Sequence, residues 1–409
     1  MSILRTNVLL TKRGFLVAII PYFTFLTWYY VFSIRVPGHI AGLSPENRII
    51  AQASFNFIIA STLPFISCFI HRFDKLRVIY ACSVVTSVIV ILLLFAPNDI
   101  SRLVIFFIAP IFFSAGQLAF FVYFWNLTVP EERGRVGGLV GFFSLPSFYL
   151  IHFLLAEALD FSGIVMLSVV LSLGTLMIKF LRPKKKEKLT AKKDEKGYHP
   201  EKRIILLYSI PWVLFSLINI TLERNISFYV LQQMSSSAYL YLTSLQAIAA
   251  VFGALGGGII ADFFGRRLSL AFSLTIYGIS SALIGLVESY EMFCLAYFAN
   301  GLTWGILLTL YLFVVWGDLT NRESCAKTYS IGLVIFYLAT GAGILLTTQM
   351  SQIPLIISSL VSCLLIFLSN IPLILAPELL SSDFREKIKL KLFMNVARRI
   401  VRKLSKNQG

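Results

Sequence analysis

Few residues of this chain combine a reactive side chain with an unusual setting, and Glu223 is the clearest of them. In the apolar run 204–233, Trp212, Ser216, Asn219 and Glu223 follow at spacings of four, three and four, and Ser227 extends the series by a turn. On a helix these positions share one face. Counting back from the polar turn SSSA at 235–238, at about 1.5 Å per residue, puts Glu223 roughly 18 Å from the end of that helix. In a bilayer a carboxyl at that depth is costly and marks a site that binds a polar group or exchanges a proton. If the helix breaks early instead, Glu223 and Arg224 sit in outer solvent. Arg224 points about 100° away on a helix, so the partner of Glu223 must come from another helix or from a solute.

A second constellation lies in GGGIIADFFGRRLSL, residues 256–270. Gly256, Gly257 and Gly258 would let their helix approach another backbone closely. Asp262 follows at the edge of the apolar run, Gly265 marks a break, and Arg266 and Arg267 open the next run. Arg266 and Arg267 need an acid, and Asp318 in GDLTNRE is a candidate. The plain alternative is a solvated basic turn.

Fainter polar positions occur in other runs: Thr24, Thr27 and Trp28; Ser114 and Gln117; Tyr297, Asn300 and Trp304. The aromatics are common packing and interface residues, whereas an amide such as Gln117 or Asn300 inside a membrane must find a partner. His152 reads as a packing histidine rather than a proton carrier. His, Cys, Asp and Glu do not gather at metal-ligand spacing, no Gly-rich phosphate loop appears, and the five cysteines are scattered. No cofactor or metal is expected, and a membrane-embedded transferase ranks last among the functions considered.

The elements that would position these residues follow from composition. Of 409 residues, 57% are hydrophobic and 14% charged, with 36 phenylalanines, a balance that a water-soluble surface hardly accommodates. Apolar runs long enough to cross a bilayer lie near 14–34, 49–70, 78–96, 103–128, 136–158, 164–181, 204–233, 239–260, 268–287, 292–316, 328–349 and 355–376. Backbone amides in lipid must be bonded within their own segment, so these are helices. The first is read as a retained helix, not a signal peptide.

The net charge of +16 would suit a nucleic-acid partner if it were gathered on one surface, but it is not. Of 36 Lys and Arg, 31 fall in the termini and in the loops after even-numbered runs; Arg35, Arg48 and Arg102 fall on the other side, and Lys179 and Arg224 within runs. That asymmetry gives orientation: a multi-pass cell-membrane protein with both termini cytoplasmic and no nucleic-acid partner.

Composition divides the chain into a bundle at 1–181, a basic cytoplasmic linker at 182–203, a second bundle at 204–376 and a tail at 377–409. In the tail, Phe384, Ile388, Leu392, Val396, Ile400 and Leu404 recur every fourth residue among nine basic residues. That spacing describes an amphipathic helix on an anionic leaflet, or a docking helix.

Arg133, Gly138 and Leu139 align with Lys327, Gly332 and Leu333 at an offset of 194, and HRFDKLR at 71–77 precedes ADFFGRR by 190, as in a duplicated six-helix unit. Gly258, Asp262, Gly265, Arg266 and Arg267 fit G-x-x-x-D-x-x-G-R-R between the second and third helices of the second half. With twelve runs and a basic central loop, the chain resembles the major facilitator superfamily from about residue 14 to 376. It departs from the family in the first-half loop, where Arg72 stands in place of the aspartate, and in the incomplete glycine–proline pattern of helix 5, which keeps Gly137, Gly141 and Pro146.

The resemblance implies an all-α protein of twelve transmembrane helices in two pseudo-symmetric six-helix bundles. It implies that Asp262 faces the amino end of helix 5, where RGRVGGL offers Arg133, Arg135 and free amides, and that helices 1, 4, 7 and 10 line a central cavity. The cavity residues would then be Thr24, Trp28, Gln117, Trp212, Ser216, Asn219, Glu223, Asn300 and Trp304. The expected function is secondary active transport of a small neutral or amphiphilic solute, sugar-like or drug-like, by a monomer with proton coupling. A transport-inactive sensor on the same fold is the alternative.

Overall fold

The computed structural model describes residues 12–40, 43–149, 160–176, 201–286, 289–350, 353–380 and Met394. His152, the central linker at 182–200 and nearly all of the tail helix expected after residue 383 lie outside the described residues.

The described residues form twelve long helices that can be numbered in chain order. The first six are α1 (Lys12–Tyr30), α2 (Pro45–Phe69), α3 (Lys75–Phe95), α4 (Asp99–Leu127), α5 (Pro130–Tyr149) and α6 (Phe161–Leu176). The second six are α7 (Lys202–Gln233), α8 (Ser236–Phe264), α9 (Arg266–Leu286), α10 (Tyr290–Thr309), α11 (Cys325–Met350) and α12 (Leu355–Leu375). Two helices continue through a π turn, α1 at Val31–Arg35 and α10 at Leu310–Val315. Ten of the helical stretches are long and apolar enough to cross a bilayer. Phe65, Phe95, Phe272 and Leu364 stand exposed on the outside, an apolar surface that suits lipid and not water. This is a multi-pass membrane protein of all-α class.

Local chemistry starts and stops the helices. Ser44, Asn98, Ser235 and Ser289 cap α2, α4, α8 and α10 by accepting backbone N–H bonds three residues on. Inside the helices, hydroxyls turn back to their own carbonyls, as Ser87 does to Ser83 and Thr243 to Tyr239. Polar side chains are thereby satisfied without water.

Helices α1 to α6 pack as one bundle and α7 to α12 as the other, and the bundles meet through α5 along α8 and α2 along α11. The two seams differ. At α5–α8 a Cβ on Gly258 would collide with the carbonyl oxygen of Gly134, and one on Gly138 would come 2.7 Å from the Ala254 oxygen. At α2–α11 the glycine Gly341 faces the ring of Phe57 instead. Gly257 serves a different contact, since its Cβ would meet Ile306 of α10. Gly256 was expected to help the close approach, but a Cβ there would meet open space.

These positions give a paired test. Replacing a helical glycine with alanine gains about 0.5–1 kcal/mol of helix propensity, while overpacking against rigid backbone costs about 1–3 kcal/mol. Gly258→Ala should therefore lower the apparent Tm of the detergent-purified protein, and Gly256→Ala should leave it unchanged or raise it. Equal shifts in both variants would refute the close-approach assignment.

Candidate functional site

Two polar centres lie along the interface between the bundles: an ion cluster at one end and a cavity towards the other. The cluster forms where the end of α8 and the start of α9 meet the start of α5. Asp262 is fully buried there. Its Oδ1 accepts from the Gly134 amide at 3.0 Å and from Arg266 Nη1 at 2.6 Å. Its Oδ2 accepts from the Arg135 amide at 2.8 Å and from Arg135 Nε at 3.0 Å. A carboxylate offers about four lone-pair directions, and four donors fill them. The two amides come from the positive end of α5, where an anion is favoured.

Of the two arginines offered to Asp262 at this end, Arg135 reaches it and Arg133 bonds Asp318 after α10 instead. Arg266 joins the two acids: its Nε lies 2.9 Å from Asp318 Oδ2, and its Nη2 donates to the Pro130 carbonyl across the bundle interface. Among the described residues no acid pairs with the Arg267 side chain. It bonds the carbonyls of Ala376 and Ile374 at the end of α12 and so closes a helix terminus. Arg133, Arg135 and Arg266 are all buried, so three cations and two acids share a dry contact.

Glu378 was missed by the sequence reading. It accepts from the Arg266 amide at 2.7 Å and the Arg267 amide at 3.1 Å, capping α9 from beyond α12. Gly265, at φ +107°, has no side chain to serve as that cap, and a Cβ there would meet the Glu378 carboxylate at 2.5 Å. The signal was available: a helix opening after glycine needs an outside acceptor, and Glu378 follows Pro377 in a short polar break.

Between the cluster and the cavity lies a layer of aromatic rings that the sequence reading also missed. Tyr22 of α1 packs against Phe313 at 4.9 Å, Phe124 of α4 against Phe313 at 5.0 Å, and Phe121 stacks on Tyr329 of α11 at 5.5 Å. The run FFVYFW at 120–125 was the visible hint.

The cavity has a volume of about 450 Å³. Tyr29, Gln52, Asn219, Glu223, Arg224, Tyr239, Gln246, Trp304 and Thr340 are among the residues that line it, and Leu231 marks its outer reach. Gln246 of α8 donates to Glu223 Oε2 at 3.1 Å and to Asn300 Oδ1 at 3.0 Å. The Tyr277 hydroxyl lies 3.0 Å from Asn219 Oδ1. Arg224 turns away from Glu223 and donates to Gln52 Oε1 of α2 at 3.3 Å. Gln246, an amide within the apolar run of α8, could have been singled out by the same reasoning that marked Asn300.

Of the expected cavity residues, Asn219, Glu223 and Trp304 line this space, and Asn300 stands behind Gln246. The others are packed elsewhere. Trp212 stacks on Tyr311 at 4.5 Å and donates to the Gly332 carbonyl. Ser216 is buried on the same helix. Gln117 accepts from the Tyr337 hydroxyl at 2.8 Å, between α4 and α11. Thr24 bonds the carbonyls of Ile20 and Leu171, and Trp28 is fully buried beside Phe25. Sharing a helical stripe did not suffice, because the aromatic layer fills the interface below Asn219. Among the described residues no group of acids, histidines and cysteines could hold a metal ion.

Four known proteins or families resemble this chain. A sugar (and other) transporter family model matches residues 169–315. A lincomycin resistance protein of Streptomyces lincolnensis is 32% identical over 123 residues, 29% of this chain, and the match spans 23% of that relative's length. Among solved structures, a human organic anion transporter superposes with a TM-score of 0.72 at 14% identity, covering 88% of this chain and 99% of that one. A major facilitator superfamily proton:xylose symporter bound to 6-bromo-6-deoxy-D-glucose superposes with a TM-score of 0.69 at 13% identity, covering 91% and 98%.

The cluster can be tested without a substrate. Asp262→Asn leaves Arg135 and Arg266 without their shared counter-charge, and breaking a buried pair in this way costs about 3–5 kcal/mol. The thiol of Cys325, buried at the start of α11 at the same end, should then react faster with a membrane-impermeant maleimide, with exposed Cys68 as the reference. Unchanged labelling of Cys325 in peptide maps would show that the ion cluster does not hold this end together.

Proposed function

We propose that this chain, whose fold is that of a major facilitator superfamily symporter of known structure, is a member of that superfamily and a secondary transporter of a small solute working by alternating access. The observation that carries this reading is the pairing of a polar cavity, open between the bundles, with a ring layer and an ion cluster that tie the bundles together beyond it. Such a pairing gives a central site access from one side at a time when the bundles rock. The ion cluster serves as the gate: Asp262, Arg133, Arg135, Arg266 and Asp318 engage when that end is shut, and Gly258 and Gly265 permit the contact. By the distribution of basic residues that end faces the cytoplasm, along with both termini, the linker and a tail that rests on the anionic leaflet.

Glu223 is the coupling residue in this reading. It and Arg224 are the charged side chains among the described lining residues, and Tyr29 and Tyr239 face the same space. A half-buried carboxyl touched by one neutral amide can exchange a proton as the cavity changes sides. The solute is sugar-like or drug-like, a choice supported by the matching transporter model and by the relative named for lincomycin resistance. The protein works as a monomer.

The test is transport by reconstituted protein across a pH series once a solute has been found by ligand-dependent thermal shift. Glu223→Gln should abolish accumulation driven by a pH gradient, at least tenfold, while equilibrium exchange persists. An unchanged rate and pH dependence would remove Glu223 from the coupling mechanism.

A further inference from the structure

The bonding around Glu223 narrows the class of solute, an inference that rests on the transport reading above. Both N–H groups of Gln246 are engaged, one by Glu223 Oε2 and one by Asn300 Oδ1. Among the described residues no donor reaches Glu223 Oε1 and no cation bonds this carboxyl directly, Arg224 acting on it only through space. The nearest in sequence, Arg224, is exposed at the cavity mouth and occupied with Gln52. The rest of the polar lining is neutral: Asn219, whose amide oxygen is taken by Tyr277, with Ser227, Tyr239, Thr243 and Thr340.

We propose that the transported solute is a hydroxylated amine, whose ammonium group sits against Glu223 Oε1 and whose hydroxyls meet the neutral amides and hydroxyls of the lining. A carboxylate in a half-dry cavity is expensive to keep without a cation, and a charged N–H donor bonds it about twice as strongly as a neutral hydroxyl does. The rings of Tyr29, Tyr239 and Trp304 line the same space and offer π faces that favour a cation over a neutral group. The cavity, at about 450 Å³, falls within the range of about 300–1,000 Å³ usual for small-molecule sites. An anionic solute would meet Glu223 as a like charge and is disfavoured.

The test uses matched probes on the purified full-length protein: D-glucosamine, N-acetyl-D-glucosamine and D-glucose, each also as the butyl glycoside to fill more of the cavity. Calorimetry should show the free amine of a set binding about tenfold or more tighter than its two neutral partners. Glu223→Gln should erase that preference, and Asn219→Ala should weaken all three members alike. Equal affinity within a set, or no binding by either amine, overturns the assignment. If neutral members bind and are accumulated in proteoliposomes, the amine class falls and the transport reading stands. If the amine binds through Glu223 and no probe crosses the membrane, the site assignment stands and the transport reading falls.

Discussion

Asp262 imposes the tightest condition on the interface between the bundles, because its carboxylate is fully buried and a buried charge is tolerable only with its bonding capacity filled. Its four donors come from two backbone amides of α5, one arginine of α5 and one of α9. Backbone amides cannot stretch towards a distant acid as a lysine could. The helix that carries Asp262 must therefore run almost in contact with α5, and that distance is possible only where Gly134, Gly138 and Gly258 remove the side chains between them. Charge satisfaction and small-residue packing are thus one constraint, met at one place.

Arg266 extends that constraint to the rest of the end. It touches Asp262, Asp318 and the Pro130 carbonyl, so α5, α8, α9 and the end of α10 share one side chain. Glu378 then fixes the start of α9 from the far side of α12. The related loop of the first bundle is built differently. There Asp74 caps α3 and Lys75 bonds the carbonyls of Ile70 and Phe73 within the loop itself. Arg72 stands at the position that corresponds to Asp262, and the charges of this loop bond within it, whereas those of the second-bundle loop reach across to Arg135 of the first bundle.

The cavity depends on the same interface in the opposite sense, by remaining unfilled. Rings from α1, α4, α10 and α11 close the space between the cluster and Asn219. One of them, Phe313, belongs to the π turn in α10, a local widening of the kind often found at functional sites. Above this layer the lining becomes polar, and the chain Glu223, Gln246, Asn300 crosses three helices of the second bundle.

The sequence by itself determined the membrane class, the helical elements and the residues worth examining, since these depend on composition, run length and local spacing. The need of Asp262 for amides and of Arg266 for an acid was likewise local information, read from the order of glycine, aspartate and arginine in one short stretch. What only the tertiary structure decided was which member of each set met which partner. Arg133 bonds Asp318 rather than Asp262, Arg267 serves a helix end, and Trp212, Ser216, Gln117, Thr24 and Trp28 are packed away from the cavity although their helices border the interface. Helical periodicity fixes a direction around one axis, but the rotation and depth of each helix against its neighbours come from the packing of all twelve. Glu378 and Gln246 matter because distant segments bring them to a helix start and to a carboxyl, a proximity that no spacing along the chain encodes.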